Sequence, residues 1–290
     1  MRVNMKIINI NRQSIVSESF LSPLLQLAKP PENLFIKGNV PNSRPPVVAI
    51  IGTRRPTAYG REITQTLATD LARSGVVVVS GLAAGIDTIA HTATLSAGGI
   101  TIAVLAQGLH SIYPASNKGL ADRIMKSGAL ITEYDLGEEA MKHHFLARNR
   151  IVSGLADAVI VTEAADKSGT FSTVAHALEQ NKEVFAVPGP ITSLLSAGPN
   201  RLLQQGAHVV LSAKDVLQVI APHLIAGQWQ FVFGDTPLES AIIELIQQGV
   251  RSGDDLLVKS KATPSDFLEA LTMLELNGTI RPLGANRWTI

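Results

Sequence analysis

The chain has 290 residues, 46% apolar and 17% charged, which is material for one large domain with a small companion and too little charge for a disordered chain. It contains no cysteine, which excludes disulfides, thiolate-held zinc, iron–sulfur clusters and cysteine nucleophiles and fits a reducing, cytoplasmic interior. The net charge of +1 conceals an asymmetry: residues 1–61 carry nine basic side chains against Glu18 and Glu32, a balance of +7, so the remaining positions sum to −6.

Residues 1–34 show no firm periodicity and are read as a short N-terminal segment; its start, Met1 to Ile10, lacks the long apolar block of an export signal, and no run is long enough to span a bilayer. From Val47 onward, short β-branched runs alternate with segments of helical period, the pattern of a parallel sheet with crossover helices. The expected strands are Val48–Ile51, Val76–Val79, Ile100–Leu105, Leu130–Thr132, Ala158–Thr162, Val184–Val187 and His208–Leu211, seven in one sheet. The intervening helices start near Gly60, Ile86, Asn117, Phe145, Thr170, Pro199 and Lys214, and Gly75, Gly98, Gly128 and Gly206 read as C-cap glycines. Because the strands are apolar without alternation, both sheet faces are covered, which makes the fold an α/β, doubly wound, mainly parallel one over residues 35–224.

The pattern changes at a linker over 225–236 that carries Gly227, Trp229 and Gly234. Residues 237–290 then offer three helical segments, Leu238–Gln248, Ser252–Lys259 and Pro264–Asn277, and a ribbon of Ile280–Leu283 and Arg287–Ile290, a small winged-helix-like domain. From Ile225 to the last residue there are 5 basic and 8 acidic side chains, a poor balance for gripping phosphate.

In a parallel sheet, ligands sit at the carboxyl ends of strands, where loops enter helices and backbone N–H groups face outward. Three loops there have the right chemistry: Gly52-Thr53-Arg54-Arg55, Ser80-Gly81-Leu82-Ala83-Ala84-Gly85, and Lys167-Ser168-Gly169-Thr170. Small residues let a ligand approach the backbone, and an arginine there supplies a bidentate fork for phosphate. A second basic window, free of acids from Ala140 to Ala156, holds Lys142, His143, His144, Arg148 and Arg150. Neither Gly-x-Gly-x-x-Gly with an acid closing the second strand nor Gly-x-x-x-x-Gly-Lys-Ser/Thr occurs, so no dinucleotide or nucleoside triphosphate cofactor is expected. Asp87, Glu163, Asp166 and the seven histidines are the acids and bases available for hydrolysis; Asp87 starts a helix and reads as a cap, and His91 as a packed residue. Adjacent His143 and His144 diverge on a helix, so no metal site is expected.

Taken in order, Phe35-Ile36-Lys37-Gly38-Asn39, Val48 through Arg54, Ser80 through Asp87 with Ala90-His91, Tyr113-Pro114 with Asn117, Phe145 with Arg148 through Leu155, Ser168-Gly169-Thr170, Val184 through Gly189, and Gly198-Pro199-Asn200 with Gly206-Ala207 resemble the DNA-processing protein A (DprA/Smf) family. The resemblance implies an extended Rossmann domain that binds single-stranded DNA, often followed by a winged helix. It also implies a recombination mediator of natural transformation, not an enzyme, that works as a homodimer, protects incoming DNA and loads the RecA recombinase. Carried over by motif, the DNA-binding residues are Gly52, Thr53 and Arg54; Ser80, Gly81 and Gly85; Arg148, Asn149 and Arg150; and Ser168, Gly169 and Thr170, with Lys118 and Lys167 beside them. One arginine of Arg148-Asn149-Arg150 is open to a structural role against an acid. Leu146 stands where the family usually has proline, and Phe171 takes a position more often aliphatic or small, where core packing is the default and base stacking the alternative.

The rival from another class is a nucleotide phosphoribohydrolase, which resembles this fold but uses Pro-Gly-Gly-x-Gly-Thr-x-x-Glu at the helix start where this chain has Ala165-Asp166-Lys167-Ser168-Gly169-Thr170-Phe171-Ser172-Thr173. The glutamate that serves as base is Thr173 here. A transcription regulator acting through the C-terminal unit is disfavoured by that unit's acidic balance.

Overall fold

The computed structural model describes residues 5–9, 19–226, 236–247, 250–277, 279–284 and 286–289. The chain divides into two compact units, Met1–Pro222 and His223–Ile290.

In the first unit, β1 (Met5–Asn9), β2 (Asn33–Gly38), β3 (Val47–Ile51), β4 (Val77–Ser80), β5 (Thr101–Val104), β6 (Ala129–Thr132), β7 (Ala158–Val161), β8 (Glu183–Ala186) and β9 (His208–Val209) form one sheet in the order β1-β2-β6-β5-β4-β3-β7-β8-β9. The seven expected strands pair in parallel; β2 is added antiparallel to β6, and β1 antiparallel to β2. The sheet therefore has nine strands among the described residues, two more than the sequence pattern gave. Nor do the described residues before 35 stand apart from the first unit: β1 pairs into its sheet, and Phe20, Leu21, Leu24 and Leu27, on and just after a 3₁₀ helix, Ser19–Gln26, are buried in its core. That segment is short, carries a proline, and binds through a few buried side chains, so it has no long period to read.

The crossover helices are α1 (Ala58–Arg73), α2 (Ile86–Ser96), α3 (Lys118–Ser127), α4 (Lys142–Leu155), α5 (Thr170–Glu179), α6 (Ala197–Gln204) and α7 (Ala213–Ile220), with a short α8 (Pro222–Ala226) at the unit boundary. Strand side chains alternate between two layers. Ile102, Val104, Ala129 and Ile131 face the layer that holds Ile151 and Leu155 of α4 and Val174 and Ala177 of α5. Ala103, Leu105 and Leu130 face the layer closed by Leu120, Ala121 and Ile124 of α3. Each buried Val, Leu or Ile side chain contributes roughly 1.5–3 kcal/mol. Gly75, Gly98 and Gly206 follow helix ends at positive φ as expected, whereas Gly128 has φ −151° and is needed because a Cβ would run into the carbonyl of Thr101.

The second unit contains α9 (Pro237–Gln247), α10 (Gly253–Ser260), α11 (Pro264–Leu276) and the ribbon β10 (Arg281–Gly284) and β11 (Arg287–Thr289), packed around Ile242, Ile246, Leu256, Phe267, Leu271, Leu274 and Ile280. Thr263 caps α11 by accepting from the Asp266 N–H, with Pro264 in its first turn. The expected linker at 225–236 lies mostly outside the described residues. Among the described residues, no helix is long and apolar enough to cross a membrane.

Candidate functional site

The strand order reverses between β3 and β7: β3 leads through α1 to β4 on one side, and β7 leads through α5 to β8 on the other. Adjacent crossovers that diverge in this way leave a crevice at the carboxyl ends of the strands. A cleft of about 740 Å³ opens at that end. Gly52, Thr53 and Arg54 after β3, Gly81 and Ala83 after β4, and Lys167, Ser168, Gly169 and Thr170 after β7 all line it. The three loops singled out in the sequence therefore meet in one place. The remaining wall is α4, through Lys142, Phe145, Leu146, Arg148 and Asn149, with Tyr113 beside it.

Arg54, Lys142 and Lys167 are the exposed cations of this lining. The Arg54 guanidinium lies 5.4 Å from the centre of the Phe145 ring, which in turn meets Tyr113 edge to face at 5.6 Å between centroids. Tyr113 is half exposed. A guanidinium backed by one ring and a second ring open to the cleft suit a chain of alternating phosphate and base.

Two glycines set the Arg54 loop. A Cβ on Gly52 would lie 2.7 Å from both the Glu163 carbonyl oxygen and the Ile86 side chain. Gly85, at φ +83°, packs against the backbone of Thr53 and Arg54, and the Ile86 N–H donates to the Thr53 carbonyl at 3.1 Å. Gly85 thus supports the loop from below and does not line the cleft, contrary to its expected place among the binding residues.

The Arg148-Asn149-Arg150 run separates into three roles. Arg148 is only 4% exposed, and its Nη1 donates to the carbonyls of Gly81, at 2.7 Å, and of Val104. Burial lowers its pKa to about 10, so it stays charged at neutral pH, opposite buried Asp87. Burial pushes the Asp87 carboxyl up, against the pull of Arg148 and of the Ala83 and Gly81 N–H groups that it accepts from. Asp87 therefore clasps its own preceding loop, a tertiary version of the capping expected of it. Asn149 donates to Ser172 Oγ at 3.1 Å and ties α4 to α5. Arg150 forks onto Glu133 at 2.9 and 2.6 Å and lies outside the cleft. It forms an ion pair with an acid, the structural role that one arginine of the run was open to, and it stands apart from the cleft lining.

Ser80 and Lys118 also fall outside the cleft lining. Ser80 is fully buried and donates to the Ile50 carbonyl at 2.7 Å, fastening β4 to β3. Lys118 is exposed at the start of α3. Arg44, part of the basic N-terminal stretch, pairs with Asp157 at 2.5 Å at the amino ends of β3 and β7, away from the cleft. Conversely, Lys142, Tyr113, Phe145 and Leu146 line the cleft without having been singled out as DNA contacts. The signal was present in the acid-free window that held Lys142, but α4 begins three residues before the expected start at Phe145, which places Lys142 on its first turn.

The acids available for hydrolysis are all engaged: Asp87 as above, Glu163 accepting from Thr57 N–H and Oγ1, and Asp166 paired with Arg201 at 2.5 Å. His91 is buried against Thr101, 2.7 Å away, and burial lowers its pKa to about 3. Phe171 packs against the core beneath the Arg201 guanidinium, 4.6 Å from the ring centre, and so takes its default role. Among the described residues, no cluster of three or more His, Asp or Glu is placed to hold a metal.

Fold and cleft define a Rossmann-like protein with a cationic crevice at the switch point of its sheet, carrying a second, winged-helix unit. The DNA recombination-mediator protein A family matches residues 12–221, and the DprA winged helix domain matches residues 233–286. The chain is 43% identical over 210 residues to the DNA processing protein DprA of Bacillus subtilis, covering 72% of this chain and 71% of that one. The crystal structure of DNA processing protein A from Streptococcus pneumoniae superposes with a TM-score of 0.67 at 38% identity, covering 75% of each chain. A second solved structure, of DNA processing protein A from Helicobacter pylori, concerns that protein's unique single-stranded DNA binding mode; it superposes with a TM-score of 0.64 at 33% identity, covering 75% of this chain and 95% of that one. This chain belongs to the DNA recombination-mediator protein A (DprA/Smf) family.

Proposed function

We propose that the cleft binds single-stranded DNA and that the protein is a cytoplasmic recombination mediator: as a homodimer it covers incoming single strands during natural transformation and delivers them to RecA. The observation that carries this reading is the convergence of Arg54, Lys142 and Lys167 with Phe145 and Tyr113 in one crevice at the sheet's switch point. The H. pylori relative's single-stranded DNA binding supports it from outside.

Phosphates lie along Arg54, Lys142, Lys167, the hydroxyls of Thr53, Ser168 and Thr170 and the amide of Gly169, while an unpaired base has the rings of Tyr113 and Phe145 beside it. Gly52 and Gly81 keep the floor low, and Arg148 and Asn149 form it. A duplex keeps its bases inside the stack and cannot use the rings. The engagement of its acids in holding loops and partners supports binding over hydrolysis.

Anisotropy of labelled oligonucleotides tests this at two salt concentrations. Single strands should bind tightly, with little sequence preference and steep salt dependence, and duplexes weakly. Equal affinity for both would overturn the reading, and release of free base from nucleoside monophosphates would favour the hydrolase instead. Sedimentation with and without DNA tests the homodimer, and RecA-catalysed strand exchange tests loading.

A further inference from the structure

We infer that Glu163 is a positioning residue for DNA binding: from the strand on the far side of the switch point it holds both ends of the loop that presents Arg54. The inference rests on the reading of the cleft given above.

Glu163 follows β7 and is 2% exposed. Its carbonyl accepts the Thr53 N–H at 2.7 Å. Its carboxylate accepts the Thr57 N–H at 2.9 Å through Oε2 and the Thr57 hydroxyl at 2.6 Å through Oε1. Thr53 and Thr57 bracket Arg54, Arg55 and Pro56, so one buried residue fastens the loop before and after its cation. The carboxylate sits at the N-terminus of α1, where the free N–H groups and the helix dipole stabilise a buried negative charge. Thr57 Oγ1 in turn accepts the Gly60 N–H at 3.1 Å, which extends the anchor into α1. Gly60 is the space that makes this possible, since a Cβ there would overlap the Glu163 carboxylate. Arg54 itself touches no acid among the ion pairs of the described residues, so its direction is set by its backbone and by Phe145. A held loop keeps the guanidinium aimed into the cleft before the strand arrives and reduces the ordering cost of binding.

The test is binding of a fluorescent oligothymidine to the full chain across a salt series. The variants are Arg54→Ala, Lys142→Ala, Glu163→Ala, Glu163→Gln and Gly60→Ala, each alone, and the Glu163→Ala and Gly60→Ala changes also combined with Arg54→Ala or Lys142→Ala. If Glu163 acts through Arg54, Glu163→Ala weakens binding as Arg54→Ala does, and lowers the log–log salt slope by about 0.7, one phosphate contact. Adding it to Arg54→Ala then costs no more than about twofold further, whereas with Lys142→Ala the losses multiply. Glu163→Gln keeps an acceptor for the Thr57 N–H and reverses the second bond, its Nε2 donating to the Thr57 hydroxyl oxygen, so the loop stays held and the variant binds like the unaltered chain. Gly60→Ala retains the carboxylate but occupies its place, and behaves like Glu163→Ala even where the latter does not fold.

A purely structural role lowers the melting temperature but leaves the folded fraction's slope unchanged. Wild-type slope and affinity in both Glu163→Ala and Gly60→Ala, beside a weakened Arg54→Ala, overturn the inference; so do losses that multiply with Arg54→Ala as fully as with Lys142→Ala. Wild-type binding by Arg54→Ala overturns the reading of the cleft itself.

Discussion

Three arginines of similar appearance in the sequence have three different fates, decided by what each can reach. Arg54 is exposed and backed by a ring, Arg148 is buried against carbonyls and Asp87, and Arg150 forks onto Glu133. Arg54→Ala should therefore weaken single-strand binding and reduce the salt slope by about 0.7 with little change in melting temperature, as measured by anisotropy and thermal unfolding. Arg148→Ala should do the reverse in kind: it leaves Asp87 buried without its counter-charge, a loss of about 3–5 kcal/mol that calorimetry would register as a large fall in melting temperature. Arg150→Ala should leave the slope unchanged. The two rings act without charge, so Tyr113→Ala and Phe145→Ala should each cost about 1–3 kcal/mol of affinity at constant salt slope. That contrast with Arg54→Ala separates stacking from phosphate contact in one titration series. Arg54 was legible in the sequence because a glycine after the first parallel strand fixes where the next side chains emerge. The division of labour between Arg148 and Arg150 was not, because it depends on Glu133 and Asp87, which only the folded sheet brings near.

At the scale of elements, β3 to β7 were legible because each is buried on both faces and carries a mostly apolar run, as Val47–Ile51 does, whereas the parallel strand β9 at the sheet edge is exposed. β1 was not: its described side chains are exposed or half-buried, and it sits at the sheet edge, where pairing with Asn33–Gly38 replaces burial as the organising force. The start of α4 was missed for a related reason, since its first turn carries Lys142 and His143 on the exposed side and gives no apolar period. α2 shows how an element can couple stability to pH. Its His91 is buried; because Thr101 donates its hydroxyl to the Val78 carbonyl, the imidazole Nδ1 is left to donate to Thr101. Burial lowers the His91 pKa to about 3. The unfolded chain, with an ordinary histidine near 6.5, binds a proton that the folded chain refuses between these values. Stability from this residue is thus complete above pH about 6.5 and falls as the pH drops towards about 3, by at most about 1.4 kcal/mol per pH unit. Chemical denaturation across this range should show a shallower acid loss in His91→Gln than in the unaltered chain. Parallel curves for the two would mean that the imidazole is protonated in the folded state.

At the scale of the molecule, charge and architecture point to one binding unit. The winged-helix unit has a core of its own, yet from Ile225 onward acidic side chains outnumber basic ones, 8 to 5, which opposes a phosphate grip. The cleft, by contrast, draws all of its lining from the first unit. The bimodal charge was visible from composition, but it pointed to the wrong stretch in part: of the basic residues before residue 62, Arg44 is paired at the amino ends of the strands, and Arg54 lines the cleft. Topology, not the local charge sum, decides which cations serve the site. With Arg54, Lys142 and Lys167 as the exposed cations, and about 0.7 counterions released per phosphate on a single strand, the log–log salt slope should be about −2 per bound protomer. A chain ending at Pro222 should keep that slope and an affinity within about twofold of the full chain for a short oligonucleotide, as independent units contribute additively. A slope twice as steep in the full chain, lost on truncation, would show that the winged helix grips phosphate in spite of its acidic balance, and would move half of the binding energy out of the cleft.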